Sequence, residues 1–209
     1  MQYTFLQKIQ IWFIRLLTKF HWEQKHPISS EDKTVLKEKL AKDYYVIATR
    51  KSNYATTFLI TLGHFFLTRK WGFYSHVLMN LEDTVKTDDD YRFIEATNVG
   101  VKYSDFDTVF GAVDAVALIK PKSMTIDEWT AALDRSKTYF GRPYDNLFDL
   151  KSDREINCVE LVRLALSGNP NYKTDFIEFE KLVEAKKKLT PDMFAQCSDF
   201  EIAYTVRKK

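Results

Sequence analysis

The residue with the clearest potential for covalent chemistry is Cys158, in "NCVELVRLAL". Asn157 and Glu160 have the spacing of a helix capping box, and a thiol at a helix N-terminus lies at the positive end of the dipole, which favours the thiolate. A cap at 152–153 instead would place Cys158 in mid-helix, where it would be a small and inert hydrophobic residue. The local pattern alone leaves both interpretations open.

A matching base is available in His76, within the predicted strand "GFYSHVLMNLE". Alternation places on one face Tyr74, His76, Leu78 and Asn80. A histidine on such a strand is commonly a core residue, but the next strand, "YRFIEATN", carries Glu95 among apolar neighbours. A buried carboxylate needs a partner, and a glutamate that orients an imidazole beside a thiol is the triad of cysteine hydrolases. We therefore expect His76 to face the Cys158 helix.

The remaining cysteine and histidines indicate structural roles. Cys197 has no histidine near it in the sequence, and His64 lies in the apolar run "FLITLGHFF". We expect a structural or exposed thiol at Cys197 and a core role for His64, with His21 and His26 in solvent. Four histidines and two cysteines lack ligand spacing, and no phosphate-binding glycine loop is present. No metal site or cofactor is predicted.

Composition is that of a globular enzyme-sized domain. The 209 residues are 45% hydrophobic, which is enough to build a core. The net charge of +2, from 31 basic and 29 acidic residues, predicts no nucleic-acid binding. Two cysteines imply no disulfide framework. Because a thiol nucleophile attacks carbonyl groups, the expected partner is a peptide or amide substrate.

The N-terminal segment has a distinct pattern. A helix over residues 3–22 would carry one apolar stripe of Phe5, Ile9, Trp12 or Phe13, Leu16 and Phe20. Such a stripe packs on its own domain or a partner, or lies on a membrane surface. Basic residues interrupt the segment and no small-residue cleavage site follows it, so it is no secretory signal. A cytoplasmic location is predicted, with membrane-peripheral or phage-particle association as alternatives.

The elements required around these residues form an α+β domain. "HPISSEDK" (26–33) is a candidate linker that separates an N-terminal amphipathic helix and linker (1–33) from a domain over 34–209. Strands are predicted at 43–50, 73–82, 91–97, 114–121 and the C-terminus. A buried helix is predicted at 53–70, a short helix from Ser30, and one at 125–141 with a Thr125–Glu128 capping box and a stop at Gly141.

Four segments in order, "YSHV", "IEA" followed by "GV", "GRPYD" and "NCVELV", resemble the permuted papain-like NlpC-type cysteine hydrolases, in particular the YiiX/YebB-like group. In that group the histidine strand precedes the cysteine helix. The resemblance runs from about residue 40 to the end. Val159 stands where the group often has a serine.

This resemblance implies an α+β, circularly permuted papain-like (NlpC-type) fold with an antiparallel central sheet packed with helices. It implies Cys158 as nucleophile, His76 as general base, Glu95 as the residue that orients the imidazole, and Tyr144 as a donor near the oxyanion. The implied activity is that of an amidase or peptidase on an amide, such as a peptidoglycan-type peptide. A lipid-directed thiol hydrolase or acyltransferase and a non-catalytic binding module of the same fold are the alternatives.

Overall fold

An antiparallel sheet forms the centre of the fold. The computed structural model describes residues 4–17, 19–20, 26–52, 54–68, 71–81, 92–122, 124–146, 154–167, 177–186 and 190–208. Its strands are β1 (Val46–Arg50), β2 (His76–Asn80), β3 (Arg92–Thr97), β4 (Gly100–Asp105), β5 (Ala115–Pro121) and β6 (Phe200–Arg207). They lie in the order β4-β3-β2-β1-β5-β6, and every neighbouring pair is antiparallel. The predicted antiparallel central sheet is confirmed.

Helices lie before, between and after the strands. They are α1 (Phe5–Leu17), α2 (Ser30–Leu40), α3 (Ala55–Thr68), α4 (Phe106–Phe110), α5 (Ile126–Lys137), α6 (Cys158–Ser167), α7 (Ile177–Lys186) and α8 (Asp192–Gln196). The longest of them, α3, has 14 residues, and no helix in the described ranges is long and apolar enough to cross a bilayer. The sequence "DTVKTDDD" (83–90), which is typical of a polar turn between two strands, lies outside the described residues.

Both faces of the sheet are buried. On one face, Val77 and Met79 of β2 pack in the same cluster as Leu161 and Val162 of α6. On the other face, Leu78 packs with residues of α2 and α4, including Leu36, Leu40, Phe106 and Phe110. The period-two alternation of β2 thus divides its apolar residues between two cores, and α6 is fixed against the sheet by a continuous apolar contact.

Helix caps explain where α2 and α5 begin. Thr125 and Glu128 form the predicted capping box, and Gly141 has a φ of 78° in the turn after α5. The predicted start of α2 at Ser30 is confirmed, and its cap is Ser29, whose hydroxyl accepts from the Asp32 backbone N–H. The division of the chain at residue 33 stays a prediction.

The prediction of a buried helix at 53–70 is only half right. α3 buries His64 completely, but Phe58 and Phe66 are 58% and 65% exposed. The α3 helix is hydrophobic on all sides but is not buried on all sides, because only its inner face packs on the domain. The outer face of α3 is an exposed apolar surface.

Candidate active site

The N-terminus of α6 is built by its cap. The Asn157 side-chain oxygen accepts from the backbone N–H groups of Val159 and Glu160, each at 3.0 Å. The Glu160 carboxylate accepts in return from the Asn157 backbone and side-chain N–H groups at 3.0 and 2.7 Å. The cap predicted at Asn157 is confirmed, and the alternative at 152–153 is wrong. Cys158 is therefore the first residue of α6, and only 3% of it is exposed.

His76, the first residue of β2, contacts two of the predicted site residues. Its Nε2 lies 2.7 Å from Glu95 Oε2, and its ring is hydrogen-bonded to Cys158. Burial alone would lower the pKa of His76, but the negative charge and hydrogen bond of Cys158, together with Glu95, raise it to about 10. A protonated imidazole beside the sulfur is the counter-ion that a thiolate requires.

Glu95 lies behind His76 on β3 and is held by further groups. The Ser104 hydroxyl donates to Glu95 Oε1, and the Lys102 ammonium lies 3.6 Å from the same oxygen. Burial would raise the pKa of Glu95, but the hydrogen bond and charge of His76, aided by Ser104, lower it to about 2. The carboxylate is therefore charged throughout the physiological range, and its orientation is fixed from two sides.

Tyr144 completes the group from the opposite direction. Its hydroxyl is hydrogen-bonded to Cys158, and burial, followed by the charge of Cys158, raises the pKa of the phenol well above its ordinary value. The two residues before it are held by neighbouring segments of the chain, because Val101 N–H donates to the Arg142 carbonyl and Ile156 N–H donates to the Pro143 carbonyl, each at 2.9 Å. Tyr144 thus remains a neutral hydrogen-bond donor beside the sulfur.

The structure brings together the four residues predicted for the site, and it adds two. Ser104 and Lys102 of β4 were not predicted. Lys102 lies directly opposite Glu95 in the β3–β4 ladder, and Ser104 lies opposite Phe93. The signal was present in "EATNVGVKYS", because a tight turn at 98–99 fixes this register and places both side chains beside Glu95.

One expectation about the His76 strand is wrong. Tyr74 lies in the same cluster as Cys158, but Leu78 packs in the cluster on the opposite face of the sheet. Regular alternation would place His76 with Leu78, away from α6. His76 nevertheless reaches the Cys158 thiol because it is the first residue of β2, at the end of the strand rather than in its middle.

The other candidate residues lie apart from this group. Cys197 follows α8 and is 8% exposed, and His64 is fully buried with its Nδ1 2.5 Å from the Thr190 hydroxyl. The expected core role of His64 is confirmed, while Cys197 is buried rather than exposed. Within the ranges that the structure describes, no group of three or more His, Cys, Asp or Glu side chains is placed to hold a metal ion.

A histidine strand that precedes a cysteine helix, on an antiparallel sheet packed with helices, defines the permuted papain-like, NlpC-type fold, and this chain has it. The crystal structure of the metalloprotein YiiX from Escherichia coli O157:H7 (DUF1105) superposes on the chain with a TM-score of 0.56. The two sequences are 19% identical, and the match covers 80% of this chain and 97% of YiiX. No family model matches the sequence, and no curated protein matches it.

The residues near Cys158 do not suit a metal of the kind that three side chains hold. The Glu95 carboxylate is already bonded to His76 and Ser104 and lies behind the imidazole. Among the residues that the structure describes, this group therefore does not supply the three His, Cys, Asp or Glu ligands that a catalytic zinc site uses. The arrangement suits a nucleophile and its base.

Proposed function

We propose that this protein is a cysteine hydrolase in which Cys158 is the nucleophile, His76 the acid–base group and Glu95 the residue that orients His76. The observation that carries the proposal is the unbroken series of contacts from the Cys158 sulfur through the His76 ring to the Glu95 carboxylate. Such a series activates a thiol by pairing it with an imidazolium held in one orientation.

In the first half of the reaction, the Cys158 thiolate attacks the substrate carbonyl carbon and forms a C–S bond. The carbonyl oxygen takes the negative charge. His76 then gives its proton to the leaving nitrogen, and the C–N bond breaks. The amine departs, and the acyl group remains bound to Cys158 as a thioester. Because the pKa of His76 is about 10, the imidazole holds this proton at neutral pH.

In the second half, neutral His76 takes a proton from water, and the resulting hydroxide attacks the thioester carbonyl. The C–S bond breaks, the acid leaves, and the thiolate and imidazolium are restored. Glu95 stays ionised throughout and keeps the ring aligned. No external cofactor enters the balance of either step.

The oxygen that becomes negative needs donors, and two are at hand. The Tyr144 hydroxyl is beside the sulfur, and the backbone N–H of Cys158 points from the first turn of α6. The side chain of Asn157 binds the N–H groups of Val159 and Glu160 rather than that of Cys158. Removal of one such donor commonly lowers kcat by about 10²-fold or more.

The substrate class proposed first is an amide, as in peptidoglycan-type peptides, which suits a thiol nucleophile with an acid for the leaving amine. A second candidate, hydrolysis or acyl transfer on a lipid-linked substrate, is favoured by one observation. The outer faces of α1 and α3 are apolar and exposed, so the enzyme has a surface that suits a lipid phase.

Acyl-enzyme trapping tests the proposed chemistry without knowledge of the natural substrate. The protein is mixed with p-nitrophenyl acetate and quenched, and the acetylated residue is found by peptide mass spectrometry. We expect acetylation at Cys158, its loss in Cys158→Ser, and full retention in the matched control Cys197→Ser, since both thiols are buried. Equal labelling of Cys158 and Cys197, or labelling that survives Cys158→Ser, contradicts the proposal.

Peptide and lipid substrates are then compared directly. Peptidoglycan fragments and short-chain phospholipids are each incubated with the protein and with Cys158→Ser. Hydrolysis of an amide adds one water to the products and releases an amine, whereas deacylation of a lipid releases a fatty acid. The substrate class, peptide or lipid, that the parent consumes and Cys158→Ser does not is the class on which the enzyme acts.

A further inference from the structure

Two helices outside the proposed active site expose large apolar side chains. Those of α1 are Phe5, Leu6, Trp12 and Phe13, and those of α3 are Phe58 and Phe66. All six are more than half exposed. Single exposed apolar residues are common on soluble proteins, but a continuous patch of this composition marks an interaction surface.

The two helices lie next to each other in the fold. α1 contacts α3, and the Ala55 N–H at the start of α3 donates to the Phe20 carbonyl after α1 at 3.3 Å. Trp71, which is also exposed, stacks on Phe65 of α3 with the ring centroids 4.9 Å apart. We call this surface, formed by the exposed residues of α1 and α3 with Trp71, the apolar face.

The charged residues of the two segments that form the apolar face are all basic. Residues 1–22 contain Lys8, Arg15 and Lys19 and no acidic residue. Residues 44–81, which include α3 and Trp71, also contain no acidic residue, although the chain has 29 of them. An apolar surface built from segments that carry basic and no acidic residues is complementary to anionic lipid headgroups above acyl chains.

We propose that the apolar face docks the protein on the surface of an anionic lipid bilayer, with α1 lying in the plane of the interface. α1 has 13 residues, so it is about 20 Å long and shorter than the hydrocarbon core. Tryptophan and phenylalanine are the side chains that partition into the headgroup region. The basic residues then meet lipid phosphates.

A second copy of this chain is the less suitable occupant. Docking of two apolar faces by symmetry would bring the basic residues of one α1 next to those of the other, with no acidic residue in either segment to pair with them. Like charges in apposition oppose such a contact. A bilayer removes the same apolar area from water and supplies the opposite charge.

The strand that carries His76 follows the apolar face along the chain. α3 leads through residues 71–75 into β2, where the Ser75 N–H donates to the Thr49 carbonyl at 2.9 Å, and the next residue is His76. The docking itself requires no catalysis. We therefore expect Cys158→Ser to bind vesicles as the parent does, whatever the outcome of the acylation experiment.

The test is co-sedimentation of the full chain with vesicles of phosphatidylcholine alone or mixed equally with phosphatidylglycerol. We expect binding at least about tenfold stronger to the anionic vesicles, and a weaker preference at high salt. Trp12→Glu in α1 and Phe58→Glu in α3 should each lower the partition coefficient about tenfold. Lys8→Glu should lower it only on the anionic vesicles, by about fivefold.

The matched control is Val99→Glu, because Val99 is 76% exposed, as Phe5 is, but lies in the β3–β4 turn. It should bind vesicles as the parent does, and circular dichroism should show every variant folded. Equal sedimentation of Trp12→Glu, Phe58→Glu and the parent overturns the proposal. The proposal is also overturned if the parent does not bind vesicles and forms a dimer that Trp12→Glu dissociates. A second copy of the chain would then be the occupant of the apolar face.

Discussion

The molecule contains two regions that each combine a histidine with a cysteine, and they differ in every property that matters for chemistry. His76 is bonded to Cys158 and to the Glu95 carboxylate. His64 is bonded to the neutral groups of Thr190 and Gln196, and Cys197 is the residue after Gln196. The residue types are therefore the same in the two regions, but the charges of these histidine partners differ.

The two cysteines also lie at opposite ends of their helices. Cys158 begins α6, at the positive end of the helix dipole and beside the His76 imidazole. Cys197 follows the last turn of α8, and burial, with the nearby Asp199 carboxylate, raises the pKa of its thiol. The comparison shows that a buried cysteine near a histidine becomes a nucleophile candidate only where the helix end and the charges agree.

The largest expected effect is a contrast between the two histidines. His76→Ala should lower kcat/KM for p-nitrophenyl acetate by about 10³-fold, because the acid–base group and the counter-ion of the thiolate are lost together. His64→Gln should keep kcat/KM within about twofold and lower the free energy of unfolding by about 1–2 kcal/mol, because its bonds to Thr190 and Gln196 are structural. Esterase assays and urea unfolding of both variants provide the comparison. Comparable activity in the two variants would remove the distinction between the regions.

A smaller effect is expected for Glu95→Gln. The amide keeps a hydrogen bond to Nε2 but removes the negative charge, so the pKa of His76 falls and less imidazolium is present at alkaline pH. We expect kcat/KM to fall by about 10²-fold and the alkaline decline of the pH–rate profile to move to lower pH. Unchanged position of that decline would show that Glu95 does not act through His76.

Ser104→Ala should have a weaker effect through the same residue. It removes one donor to the Glu95 carboxylate, so we expect kcat to fall by about tenfold with KM nearly constant, and Ser104→Thr to restore most of it. Ser136→Ala is the control, since the Ser136 hydroxyl donates to the Leu133 carbonyl within α5. A change in KM with kcat unchanged would instead assign Ser104 a role in substrate binding.

The smallest effect concerns stability against pH. The pKa of His76 is raised from 6.5 to about 10, so its contribution is complete below pH 6.5 and is lost as the pH rises through about 10. The pKa of Glu95 is lowered from 4.5 to about 2, so its contribution is complete above pH 4.5 and is lost as the pH falls through about 2. Urea unfolding should show both contributions in full between pH 4.5 and 6.5. Between that window and alkaline pH, the free energy of unfolding should fall by about 1 kcal/mol less in His76→Gln than in the parent.

Features encoded within a few residues could be predicted, and those that depend on distant packing could not. The caps at Asn157 and Thr125 are each specified by a side chain three residues later, so the local pattern located the start of α5 and gave the start of α6 as one of two alternatives. The side of β2 that His76 approaches depends on its place at the strand end, which alternation does not reveal. The outer face of α3 has the same composition as a buried face, so sequence alone could not distinguish them.

Gly100 touches none of the catalytic groups, yet it determines whether they meet. Its φ is +107°, and a Cβ there would lie 2.5 Å from the Arg142 carbonyl oxygen. The close approach of Gly100 to Arg142 holds the segment that bears the Tyr144 hydroxyl against the hairpin that bears Glu95 and Ser104. In a saturation-mutagenesis library selected for activity, position 100 should therefore be as intolerant as Cys158 itself, and a designer who grafts this site onto another scaffold must transfer a residue that has no side chain.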